Sequence, residues 1–209
     1  MAGPDARLDH ALHTHFHPDH MGIITGSEPL SIHGDYRLRG ITEVSELLPI
    51  DRLIDRGWPD YDYLPPPASD LMFANYRRFV AENTLAGRLR VIGAKAGSTD
   101  QITQVRKPDS EFPFEVRIVA VNDRVWTGKG DETKVRFPRL DSIPLREDWP
   151  DENMCSVASG SGTGGLPTSL AATCQAIPYQ GRQLGTTRKQ TSQKPSARPM
   201  CTWSTTTVH

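Results

Sequence analysis

The chain has 209 residues, of which 36% are hydrophobic and 23% charged, which places it among soluble globular domains large enough for one sizeable core. No stretch approaches the roughly 18 consecutive apolar residues of a membrane span, and residues 1–7 lack the basic flank and apolar run of a secretory signal. A cytoplasmic protein without a membrane partner is therefore the default expectation. The net charge of −1 hides an asymmetry, because all 25 acidic residues lie at or before Glu152, while the chain beyond it carries Arg182, Arg188, Lys189, Lys194 and Arg198. A basic tail of this kind points either to nucleic-acid contact or to an unfolded extension. The three cysteines, Cys155, Cys174 and Cys201, form no C-x-x-C pair and are odd in number, so they define no closed disulfide framework.

Taken in chain order, Leu8 to Thr14 reads as a short strand that ends in a histidine-rich stretch. Pro18 suits the first position of a helical turn through Asp19, His20 and Met21. Leu30 to His33 reads as a strand. Ile41, Val44, Leu47 and Leu48 have helical spacing, and Pro49 stops that helix. A strand over 50–54 follows, ending at the turn-rich Arg56-Gly57-Trp58-Pro59. The aromatic stretch from Trp58 to Tyr63 either lines a cleft or packs as a connection, and the proline-rich 61–68 segment is a loop. Ser69 or Asp70 caps a predicted helix to about Asn83, with Leu71, Tyr76, Phe79 and Val80 on one side. A strand over 89–94 follows. Phe114 to Val121 alternates apolar and polar residues, turns at Asn122-Asp123 and returns through Arg124 to Thr127, a hairpin pattern. Interleaved strands and helices make the fold class α/β, mixed α and β. From residue 159 onward Ser, Thr, Gly, Gln and Pro dominate, and composition predicts disorder. The expected organisation is thus a domain over 1–158 and a disordered tail over 159–209.

The chemistry resides in His15-Phe16-His17-Pro18-Asp19-His20. Zinc takes neutral imidazole nitrogen and carboxylate oxygen as ligands. On an extended chain His15 and His17 project to the same side, because side chains alternate with period two. Asp19 and His20 follow the turn and can face a second metal beside the first. Two close metals share and acidify a bridging hydroxide, which makes a serine or cysteine nucleophile unnecessary. A histidine-rich surface loop does not account for three histidines and an aspartate at this spacing at a strand end. His10 and His13 lie outside the pattern, although His13 is in phase with His15, and His33 reads as a surface or core residue.

The string HTHFHPDHMG resembles the H-x-H-x-D-H signature of the metallo-β-lactamase superfamily. The resemblance implies a four-layer αββα sandwich, here partial, with zinc (one ion or two, other divalent metals also fitting) held by His15, His17, Asp19 and His20. It implies hydrolysis by a metal-bound hydroxide, with Asp19 as the catalytic residue that orients the water. The substrate is left open between a small molecule and a phosphodiester. A second stretch, PDENMCSVA from Pro150 to Ala158, resembles the N-x-x-S segment of the subgroup that includes the soluble domain of competence-type DNA-uptake proteins. There Asn153 stands where other members place a third histidine. The residues by themselves also read as a turn before a strand.

The family pattern is incomplete at both ends, spanning roughly residues 8–158. Members carry strands before the histidine motif, so the chain reads as truncated at its N-terminus. They also carry a later glycine–aspartate turn that bridges the metals and a later histidine, whereas this chain has no acidic residue after Glu152 and, after His33, only His209. Reading each codon from its third base through the first two of the next offers an explanation. Met200-Cys201 then forces valine, and 198–209 permits Thr-Asp-Val-His-Val-Val-Asn-His-His-Gly-Ser. In the same frame, 167–173 permits Tyr-Phe-Thr-Gly-Gly-Asp and 158–164 permits Leu-Arg-Val-Arg-Tyr-Gly. These resemble the missing family segments in family order, so the tail after Ala158 is expected to be out of frame and the chain's activity impaired. The competing expectation is a non-catalytic fragment that binds a ligand or nucleic acid.

Overall fold

Three short parallel strands organise the first half of the chain: β1 (Leu8–Leu12), β2 (Ile50–Asp55) and β3 (Arg90–Gly93), hydrogen-bonded in the order β1-β2-β3. Parallel neighbours cannot be joined by a tight turn and need a crossover. The first crossover contains α1 (Pro18–Met21) and α2 (Ile41–Leu47), and the second contains α3 (Leu71–Leu85). The computed structural model describes residues 6–106, 114–163 and 166–171. The chain divides into Met1–Tyr179 and Gln180–His209, and every described residue belongs to the first unit.

Helix α3 starts where the Asp70 side chain accepts a hydrogen bond from the Phe73 amide at 3.0 Å, satisfying one of the unpaired donors at a helix start. Its Phe73, Tyr76, Phe79, Val80 and Asn83 are buried, a 3.6-residue stripe. The apolar members pack with Ile50 and Leu53 of β2, Val91 of β3, and Phe16, Met21, Tyr36 and Tyr61 in one core cluster. The central strand β2 is buried hardest, with Leu53, Ile54 and Asp55 all at 0% exposure, as expected for a strand covered on both faces.

The second sheet is antiparallel, in the order β6-β5-β4-β7-β8, from β4 (Phe114–Val121), β5 (Arg124–Trp126), β6 (Thr133–Val135), β7 (Ala158–Thr163) and β8 (Leu166–Ala171). The predicted hairpin is present: β4 and β5 pair around Asn122, whose φ of 50° suits the tight turn. Val116, Ile118 and Ala120 of β4 are buried on alternate positions. Ile118 and Val121 join Ala96 and Val157 in a second core cluster, against which Leu12, Ala94 and Ile102 pack. Leu12 closes β1 and Ala94 follows β3, so this cluster ties the ends of the parallel strands to the antiparallel sheet.

The mixed α and β class holds, and two expectations need correction. Residues 30–33 form no strand. Leu30 makes a single bridge to Arg37, Ser31 N donates to Tyr36 O at 2.9 Å, and Ile32 is 86% exposed. A four-residue segment with one bridge and no continuous ladder to a neighbouring strand does not make a sheet element. Order also does not end at Ala158. β7 pairs with β4 from Ala120↔Ala158 to Phe114↔Thr163, and β8 pairs with β7. The ladder is made by backbone groups, so a Ser- and Gly-rich sequence accepts it when a neighbouring strand presents unpaired donors and acceptors. The compositional tail beyond residue 171 lies outside the described residues. Among the described residues no helix is long and apolar enough to cross a membrane.

Where β2 ends, Asp55 gathers four donors. Its Oδ1 accepts from the amides of Gly57 (2.9 Å) and Trp58 (2.7 Å), and its Oδ2 from the hydroxyls of Tyr61 (2.7 Å) and Tyr76 (2.6 Å). Burial, and then the nearby Asp55, hold both phenols above the ordinary tyrosine range. Asp55→Ala would strand two amides and two hydroxyls, and should lower unfolding stability by at least about 3 kcal/mol in urea titration. A loss under about 1 kcal/mol would show that these bonds are dispensable. Cys155 is fully buried, and burial pushes its thiol up to about 12. Because the thiolate is the reactive form, iodoacetamide should leave Cys155 unmodified in native buffer and alkylate it in strong denaturant, as read by peptide mass mapping.

Candidate metal centre

The histidine stretch begins where β1 stops. His13 N donates to Ile54 O at 2.8 Å, Thr14 O accepts from Val157 N at 2.9 Å, and Phe16 N donates to Glu152 Oε1 at 2.7 Å. The chain then turns. Pro18 occupies the first turn of α1, and the amides of His20 and Met21 both donate to His17 O, at 3.0 and 2.9 Å. Proline fits there because its missing N–H would be unpaired anyway. Within this short span burial falls steadily: His15 is 1% exposed, Phe16 4%, His17 half-buried and Asp19 exposed. Phe16 turns inward onto Phe73 and Tyr76, with ring centroids at 5.0 and 5.7 Å, leaving the flanking histidines on the other side.

His15, His17 and Asp19 come together as a group that could hold a metal ion: one ligand atom from each lies within 4.8 Å of the others. The rings of His15 and His17 are 4.9 Å apart and nearly perpendicular. His20 borders the group without belonging to it. Its ring lies 3.9 Å from that of His15, and its Nε2 is 3.6 Å from Asp19 Oδ2. All four residues singled out from the sequence are thus neighbours, with Asp19 grouped with His15 and His17.

The donor set fits a divalent metal on its own chemistry. Thr14 Oγ1 lies 3.1 Å from His15 Nδ1 and 3.3 Å from His20 Nδ1. His15 Nε2 is buried with no hydrogen-bond partner among the described residues. A metal-bound histidine has this arrangement, with one ring nitrogen steadied by a hydrogen bond and the other left for the metal. Burial, then the neighbouring His20 and His17, lower the His15 pKa and favour the neutral imidazole that metals bind. Two imidazoles and a carboxylate suit zinc and other first-row ions.

His13 lies behind this group. It is 6% exposed, its ring is edge-on to Tyr76 (5.0 Å) and Phe16 (5.4 Å), and neither nitrogen has a hydrogen-bond partner among the described residues. Burial lowers its pKa to about 3. Its phase with His15 was legible in the sequence, whereas its enclosure by aromatic rings was not. His10 bonds Thr103 O at 2.9 Å, and His33 is exposed. Asn153 opens a 3-10 turn, Asn153–Cys155. The aromatic stretch after Trp58 packs as a connection, with Tyr61 at 3% exposure against Phe16 and Phe73.

One pair went unrecognised in the sequence. Arg56 and Glu152 are nearly enclosed, their side chains 1% and 13% exposed. Arg56 Nε donates to Glu152 Oε1 at 2.7 Å, and Nη2 donates to Oε2. The guanidinium also donates to the carbonyls of Tyr63 and Leu64 and to Asn122 Oδ1, and lies 4.7 Å over the Phe16 ring. An arginine in a turn and the last acidic residue of the chain carry no local signal of burial or of each other.

No protein-family model, curated protein or solved structure matches this chain.

Proposed function

We propose that this chain derives from a metal-dependent hydrolase of the metallo-β-lactamase type, with zinc held by His15, His17 and Asp19 and with His20 beside them. The single observation that carries the reading is the convergence of His15, His17 and Asp19 ligand atoms to within 4.8 Å, with the buried Nε2 of His15 left without a protein partner. The spacing of the motif supports it independently. Zinc, when bound, supplies Lewis acidity, lowering the pKa of a water it binds and polarising the bond to be cleaved. The chain's own residues then have separable tasks. Thr14 steadies the rings of His15 and His20. Asp19, the exposed member, accepts a hydrogen bond from the attacking water and so orients it. A phosphodiester is the substrate class we test first.

A second reading, a non-catalytic metal-binding or nucleic-acid-binding relative, is favoured by one observation: the sequence has no acidic residue after Glu152. Two adjacent divalent ions repel each other, and a bridging carboxylate is what makes such a pair tolerable. The out-of-frame reading of the chain after Ala158 belongs with the hydrolase proposal, because the shifted frame permits an aspartate turn and a histidine turn.

Purified chain dialysed against a mild chelator and then reloaded should hold at most about one zinc, weakly, as three protein ligands leave the tetrahedral set incomplete. His15→Ala and His17→Ala should each abolish this binding in metal analysis. Tight occupancy by two ions would mean that further ligands exist. Hydrolysis of bis(p-nitrophenyl) phosphate should be absent or slight in this chain, and should rise in a protein expressed from the frame-corrected gene. Zinc binding with no hydrolysis by either protein would decide for the second reading.

A further inference from the structure

We propose that Glu152 is a positioning residue of the metal centre: anchored by the buried Arg56, its carboxylate holds the Phe16 amide and so sets the placement of His15 relative to His17. The inference rests on the reading of the histidines as metal ligands. It starts from where Phe16 lies, between the two imidazoles that would share an ion. The Phe16 N–H belongs to the peptide unit joining His15 to Phe16, so restraining it restrains both flanking side chains. Glu152 Oε1 takes that N–H at 2.7 Å and takes Arg56 Nε at the same distance.

The same short segment grips the other side of His15. Val157 N donates to Thr14 O at 2.9 Å. Residues 152–157 therefore bracket His15, with one bond to the residue before it and one to the residue after it. Arg56 cannot swing away and release the carboxylate, because its remaining donors are committed to Tyr63 O, Leu64 O and Asn122 Oδ1. Its guanidinium also rests over the ring of Phe16. The backbone and the side chain of the residue between the ligands are thus held by the two members of one ion pair. Outer partners that orient metal ligands alter metal affinity by about 10- to 100-fold when removed.

Two variants separate positioning from bulk stability. Glu152→Gln keeps a carbonyl oxygen for the Phe16 amide but loses the charge that faces the guanidinium fork. The double variant Glu152→Leu with Arg56→Met removes both charges, so no unpaired ion is left buried. Three readouts are taken on the full chain: zinc affinity by competition with a chromophoric chelator, and amide hydrogen exchange of the 14–20 segment and of α3, both metal-free. Both variants should bind zinc about 10- to 100-fold more weakly and exchange faster over 14–20, with α3 unchanged. Faster exchange over 14–20 alone, in a chain whose wild type binds no zinc, would uphold the positioning role and remove the metal reading. Wild-type zinc affinity and wild-type exchange in both variants would overturn the proposal. So would uniformly faster exchange including α3, which marks a merely structural pair.

Discussion

The Arg56–Glu152 ion pair joins two parts of the chain that lie 96 positions apart in sequence. Arg56 follows β2 in the parallel sheet, and Glu152 precedes β7 of the antiparallel one. Through their further bonds the two reach Phe16, Tyr63, Leu64 and Asn122. Taking two charges out of water is costly, and the cost is offset only when geometry and additional hydrogen bonds are good. Here the arginine makes a two-pronged contact with the carboxylate and also serves two carbonyls and an amide oxygen, which is the condition under which such a pair is tolerated. Its consequence is that the histidine stretch, the 61–64 loop, the β4–β5 turn and the approach to β7 are held in one arrangement.

Around that pair the aromatic residues do a different job. Phe16, Tyr61, Phe73 and Tyr76 pack at centroid separations between 5.0 and 6.5 Å, Phe73 and Tyr76 stacked and the other pairs edge-to-face or tilted, and His13 adds its ring edge-on. This cluster fills the space behind the histidines with apolar surface. The two hydroxyls it contains are both led to Asp55, so burying them leaves no unpaired donor. The side that could hold a metal and the packed side of the same stretch lie on alternate sides of the chain that runs on from β1: His15 and His17 to one side, Phe16 to the other. A ligand site built this way stands on the hydrophobic core directly, with no flexible loop between.

Much of this was determined by the sequence itself. Helical periodicity marked α2 and α3, alternation marked β4, and Asn122-Asp123 marked the hairpin, because each is a local pattern with a local cause. The group His15, His17 and Asp19 was legible for the same reason: all three come from five consecutive residues, so a strand end and one helical turn suffice to bring them together. Tertiary structure alone decided what depends on distant partners. It made a strand of the Ser- and Gly-rich 158–163 segment because β4 offered a ladder, and none of the 30–33 segment, which has only a single bridge from Leu30 to Arg37. It buried His13 between the rings of Phe16 and of Tyr76 in α3, and it paired Arg56 with Glu152 across 96 positions of sequence. Burial and long-range pairing are properties of the packed chain, and single residue types in loops carry no trace of them.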